Sequence, residues 1–387
     1  MAVRVGLERL LQHHQELLKD QRVGLATHPA AVRRNLSGAL DSLQQTGIQV
    51  VALFGPEHGF GGAVADGAAF PDSVDARTGL PVYSLYGTAK KPSAAVLNDI
   101  DVLLFDMQDV GVRFYTFIST LRHVMESAAQ TKTPVIVLDR PNPINGVILE
   151  GPVLEPDYAS FVGLSQIPVR YALTIGELAC YMNTELGLGA DLTVIQMENW
   201  HRSMWFDDTG LPWVPTSPAM PHTSTTALYP GMCLLEGTNL SEGRGTPLPF
   251  EICGAPWIDG HALAASLNEP APAGVKFRPI QFVPSAPSKF EGRLCHGVQV
   301  HLLDRKVARP LTVGLHLIAK VMELYASEFA WREGSWEGAH PHFDLLMGTD
   351  KVRQALNAGA DVNGLVSSWA DDLTQFAEAC RPYLLYS

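Results

Sequence analysis

Apolar and polar positions fall in blocks along the first half of the chain, most completely from Ile100 to Pro152. There an apolar run, a polar loop, a periodic segment, a second apolar run and a second polar loop follow one another. Val102–Phe105 and Pro134–Leu138 are short and continuously apolar, which suits strands buried on both faces of a parallel sheet. Between them Phe117, Leu121, Val124, Met125 and Ala128 recur at helical spacing, so Phe117–Ala129 predicts the crossover helix of a strand–helix–strand unit. Further strands are predicted at Val23–Ala26 and Ile48–Phe54, with helices at Glu8–Lys19 and Ala39–Gln45. Strands alternating with helices predict an α/β fold with a doubly wound parallel sheet.

Later segments are less regular. Thr174-Ile175-Gly176-Glu177 reads as a capping box, which assigns Glu177 to structure. Leu192–Met197 and Gly297–Leu303 predict strands, and Leu311–Tyr325 and Trp369–Ala379 predict helices. Trp213–Pro230 is rich in Pro, Ser and Thr without a period, and a domain boundary is expected near it.

Composition narrows the classes. At 387 residues, with 46% hydrophobic and 18% charged residues, the chain suits a folded protein of two domains. A net charge of −12 argues against nonspecific nucleic-acid binding and anionic membrane surfaces. No apolar run reaches the roughly 18 residues that a membrane span requires. The five cysteines form no CxxC clip, which fits reduced thiols in the cytoplasm. The N-terminal segment is amphipathic and lacks the apolar core of a signal peptide, again pointing to the cytoplasm.

The candidate chemistry lies after the strands, where α/β sheets bind ligands. Asp106, Gln108, Asp109, Arg113 and Tyr115 follow one strand, and Asp139, Arg140, Asn142 and Asn145 follow another. Such charges either serve a ligand or pair with each other and brace the loops. Glu57 follows the Ile48–Phe54 strand, next to His58, and opens a glycine-rich segment. That segment, GFGGAVADG, lacks the position and third glycine of a dinucleotide loop, and reads as a lid or substrate-facing loop. Glu236–Phe250 is a second polar glycine-rich loop, carrying Glu242 and Arg244. It reads either as a ligand contact or as a turn-rich connection. Walker, HExxH and G-x-S-x-G patterns are absent from the sequence. Paired carboxylates suit glycosidic cleavage, with Glu57 as the acid and Asp106 or Asp109 as its partner. Residue types alone do not choose this over phosphoryl or acyl transfer.

The ordered blocks FGPEHGF, DVLLFDMQDVGVRFYTF, VLDRPNPINGVILEGP, LTIGELA, NLSEGRGTPLPFE, GAPW and RPYLLY resemble the exo-β-N-acetylmuramidase family of peptidoglycan recycling over essentially the whole chain. The resemblance implies a Rossmann-like, mostly parallel domain over residues 1–225 and a smaller α/β domain over 226–387 that closes a cleft. It implies hydrolytic release of N-acetylmuramic acid from the non-reducing ends of peptidoglycan fragments, with no metal or nucleotide cofactor. Its motifs place Glu57 as the leading catalytic residue. They place His58, Asp109, Arg113, Tyr115, Asp139, Arg140, Asn142, Glu242 and Arg244 at the site. Many relatives carry asparagine where this chain has His28, and many are secreted. N-acetylmuramic acid carries a lactyl carboxylate, and Arg113, Arg140 or Arg244 is expected to grip it. The rival readings are a phosphosugar or nucleotide-sugar transferase and a non-catalytic muropeptide-binding protein.

Overall fold

The structure is a computed structural model that describes residues 2–335 and 340–387. In chain order its strands are β1 (Val23–Thr27), β2 (Val50–Gly55), β3 (Ser73–Val74), β4 (Pro81–Ser84), β5 (Val102–Asp106), β6 (Val135–Leu138), β7 (Glu150–Val153), β8 (Pro168–Arg170), β9 (Leu192–Ile195), β10 (Ile252–Ala255), β11 (Val275–Phe282) and β12 (Cys295–Leu302).

Seven of them form one sheet in the order β3-β4-β2-β1-β5-β6-β9, parallel throughout except for the antiparallel β3–β4 edge. This is the doubly wound sheet that the block pattern predicts. Every residue of β1, β5 and β6 is buried, because helices cover both faces. Alternation sorts their side chains: Leu103 and Phe105 join one core, while Val102 and Leu104 join the core beneath Leu7, Leu40 and Leu43. The first of these cores runs on without a break into the second half, through Leu234, Val298, Leu315 and Phe343.

The second half carries the antiparallel sheet β10-β12-β11, and β7 and β8 form a separate antiparallel pair. Helix Thr223–Met232 packs on helix Pro310–Leu324 so closely that a Cβ on Gly231 would meet the Pro310 carbonyl oxygen at 1.8 Å. That helix occupies the end of the segment whose Thr and Pro content hides any period. The first helix is also shorter than expected: Gly6–His13 is helical, and a 3-10 turn at Gln15–Leu18 follows. Finally, residues 385–386 return to the first sheet. The Leu385 N–H donates to Glu177, and the Tyr386 hydroxyl donates to Asp139 at 2.5 Å.

Candidate active site

β2 ends at Gly55, and the chain turns back at once. A Cβ on Gly55 would meet the Phe60 nitrogen at 2.6 Å, and His58 has a left-handed φ of 72°. This turn sets Glu57 at the carboxyl edge of the sheet. Both of its carboxylate oxygens accept from neutral donors: Thr116 Oγ1 at 2.7 Å and the Gly67 N–H at 2.8 Å. The Thr116 hydroxyl comes from the loop after β5, and Gly67 from the glycine-rich loop. His58 Nδ1 lies 3.1 Å from the Val64 carbonyl and pins that loop from behind.

The facing wall comes from the second half. Arg244 donates through Nε and Nη2 to one Glu236 oxygen, at 2.9 and 2.7 Å, and its guanidinium lies 4.8 Å from the Phe250 ring centroid. Its Nη1 donates to Asp66 of the glycine-rich loop. Burial opposes the charge on Glu236, yet Arg244 and His342 outweigh it and hold the carboxyl far below its usual range. Glu242 lies 3.1 Å from Lys289 Nζ, which also donates to the Leu235 and Leu240 carbonyls, each at 2.8 Å.

Between the two walls lies a cavity of about 640 Å³. Tyr86, Phe114, Val162 and Met220 contribute apolar surface to its lining, and Glu236, Arg244 and Lys289 contribute ionic groups. This volume and mixed lining suit a sugar with charged and apolar substituents.

Two family models match the chain: the exo-β-N-acetylmuramidase NamZ N-terminal model over residues 23–224 and the C-terminal model over 227–386. The chain belongs to the NamZ family. It is 45% identical over 386 residues to the peptidoglycan β-N-acetylmuramidase NamZ of Bacillus subtilis (strain 168), covering 99% of this chain and 91% of that protein. Two crystal structures of DUF1343 family proteins from Bacteroides fragilis share the fold. One has a TM-score of 0.91 at 36% identity, the other 0.81 at 31%, and each comparison covers 100% of this chain and 99% of the other.

Of the residues expected at the NamZ site, Glu57, His58, Tyr115, Glu242 and Arg244 line the cavity. Tyr115 stands in its wall with the hydroxyl donating to Thr216 at 2.7 Å. The other six stand outside the lining. Asp106 and Arg140 form a buried two-pronged ion pair, at 2.5 and 2.9 Å, and Arg140 Nη1 donates to the Val32 carbonyl at 2.9 Å. Arg113 is fully buried and donates to the carbonyls of Pro152, Ile167 and Leu346 at 2.8, 2.7 and 3.0 Å. Burial alone lowers its pKa to about 9.

Asp139 accepts from the Arg140 and Gly176 amides and from the Thr174 and Tyr386 hydroxyls. Asn142 donates to the Leu173 carbonyl at 2.9 Å and accepts from the Ile144 amide at 3.1 Å. Asp109 accepts from the Tyr171 hydroxyl and the Gly111 amide, and burial raises its pKa to about 6. Against the expectation that Arg113 or Arg140 grips a substrate carboxylate, both stand outside the cavity lining: Arg140 is committed to Asp106 and Val32, and both terminal nitrogens of Arg113 are committed to backbone carbonyls. Asp106 is likewise a brace for Arg140, and Asp109, Asp139 and Asn142 hold loops behind the wall.

The structure also adds residues that the sequence did not single out: Asp66, Thr116, Glu236 and Lys289. Asp66 and Glu236 lie within the two glycine-rich segments already noted, so loop polarity was their signal. Thr116 and Lys289 carry no local signal. His28 is buried, which drives its pKa down to about 3, and it sits behind Gly62 rather than in the cavity wall.

Proposed function

We propose that this chain is an exo-acting β-N-acetylmuramidase, a glycoside hydrolase that releases N-acetylmuramic acid from the non-reducing ends of peptidoglycan fragments such as muropeptides and MurNAc-GlcNAc oligomers. One observation carries the assignment of roles. Three glutamates line the cavity, and two of them are held by cations, Glu236 by Arg244 and Glu242 by Lys289. A cation stabilises the ionised form and disfavours holding a proton. Glu57 is held instead by a hydroxyl and an amide, neither of them charged, and it is the glutamate we assign as the acid facing the leaving glycosidic oxygen. Arg244, which with Arg332 is one of two arginines in the lining, is assigned to read the lactyl carboxylate because it also meets the glycine-rich loop through Asp66. Residues 1–225 form the catalytic domain and 226–387 the domain that closes the cleft, a division supported by the two family models meeting between residues 224 and 227. The five free cysteines support the cytoplasm as its compartment.

A chromogenic β-glycoside of N-acetylmuramic acid tests this reading. The wild-type chain releases the chromophore, and Glu57→Gln loses about 10²- to 10⁴-fold in kcat, the range set by general acid catalysis. Equal turnover by both proteins would overturn the role of Glu57. Binding without turnover by the wild type would favour a muropeptide-binding protein.

A further inference from the structure

Arg244 has three differently committed sides. Its Nε and Nη2 edge is fixed on Glu236, whose side chain is 13% exposed, and its face lies on Phe250. Its remaining nitrogen, Nη1, meets Asp66, whose side chain is 37% exposed on the glycine-rich loop. Glu242 adds a longer contact to Nε at 3.7 Å, and Asp66 also lies 3.8 Å from His58 Nε2. Glu236 and Asp66, the two that accept hydrogen bonds from Arg244, are unequal partners. Glu236 is the more buried and positions the guanidinium, whereas Asp66 is the more exposed and holds a single nitrogen. A substrate carboxylate arriving at Arg244 meets the nitrogen that Asp66 already occupies.

The neighbouring residue makes that exchange consequential. Gly67 donates its N–H to Glu57 at 2.8 Å, so adjacent loop residues hold the carboxylate reader and the acid at once. Gly67 has a φ of 71°, and nothing lies within 4 Å of the position a Cβ would take there. The backbone is therefore turned sharply at a point with room around it.

We propose that Asp66 is a specificity-determining residue that stands on Arg244 in the place of the substrate's carboxylate, and that a carboxylate-bearing sugar displaces it and thereby releases Gly67 from Glu57. The inference rests on the reading of Glu57 and Arg244 given above. Sugars without a carboxylate leave Asp66 on Arg244 and Gly67 on Glu57. Discrimination then falls on turnover as well as on binding, because release of the Gly67 N–H leaves a Glu57 oxygen free to face the glycosidic oxygen.

The test compares wild type and Asp66→Asn on chromogenic β-glycosides of N-acetylmuramic acid and N-acetylglucosamine, with calorimetric binding of free N-acetylmuramic acid alongside. Asparagine removes the competing charge, so binding of N-acetylmuramic acid tightens by up to about fivefold, the upper end for a partly exposed ion pair. The kcat ratio between the two glycosides shrinks, because the loop no longer waits for a carboxylate. In an Arg244→Gln background, Asp66→Asn leaves muramic binding unchanged. Weaker muramic binding in Asp66→Asn, or an equal effect with and without Arg244, would overturn the proposal. Absence of wild-type turnover on the muramic glycoside would instead overturn the underlying muramidase reading.

Discussion

The Thr116 hydroxyl lies 2.7 Å from Glu57 Oε2 and donates to it, although Thr116 occupies the N-cap position of helix Phe117–Thr131, where a threonine ordinarily bonds its own helix. The helix thus gives up a cap, and the loops after β2 and β5 are joined at the proposed acid.

Thr116→Val keeps the shape and removes this donor. A hydrogen bond between uncharged groups is worth about 0.5–1.5 kcal/mol, so kcat on the muramic glycoside falls by about two- to tenfold, with a smaller change in KM. Thr116→Ser restores most of the loss. Unchanged kcat in the valine variant would show that Glu57 is oriented by something else.

The buried ions give an opposite signature. Asp106→Asn breaks the paired edge of Arg140, and Arg113→Met removes one donor from each of three buried carbonyls. Breaking a buried charge pair costs about 3–5 kcal/mol, so thermal denaturation shows a lower Tm for Asp106→Asn and, through lost hydrogen bonds, for Arg113→Met. KM of the folded protein stays close to wild type in both. A raised KM at unaltered Tm would return these residues to the substrate.

Asp139 sets part of the pH dependence of stability. Burial raises its pKa from 3.8 to about 7 in the folded state, and its four donors only partly offset this. Between those values the folded chain binds a proton that the unfolded chain lacks. Stability from this group is therefore fullest near pH 4 and is lost as pH rises through 7. Asp139→Asn resembles the protonated acid, so its Tm changes less with pH over that window. A slope equal to that of wild type, measured by calorimetry, would assign the titration to other groups.

The sheet was largely legible in the sequence because its strands are buried on both faces. The predicted Val102–Phe105 and Pro134–Leu138 differ from β5 and β6 by one terminal residue each. Strands that are short or interrupted by proline were not legible. β11 alternates exposed and buried positions and contains Pro279, while β7 and β8 are short and carry Pro152 and Pro168. The site was half legible, for a related reason. A carboxylate at a strand end reads the same whether its side chain turns toward a cavity, as Glu57 does, or back to an arginine, as Asp106 does. Thr116 and Lys289 are chemically ordinary, and only the approach of distant segments gives them their partners.

The bond from Tyr386 to Asp139 spans 247 positions and bears on how the chain is made. During translation β6 and its neighbours emerge long before residue 386 does. Until then Asp139 lacks one of its four donors, and Glu177 lacks the Leu385 amide. The amino-terminal sheet therefore completes its buried hydrogen bonding only once residues 385 and 386 have docked on it.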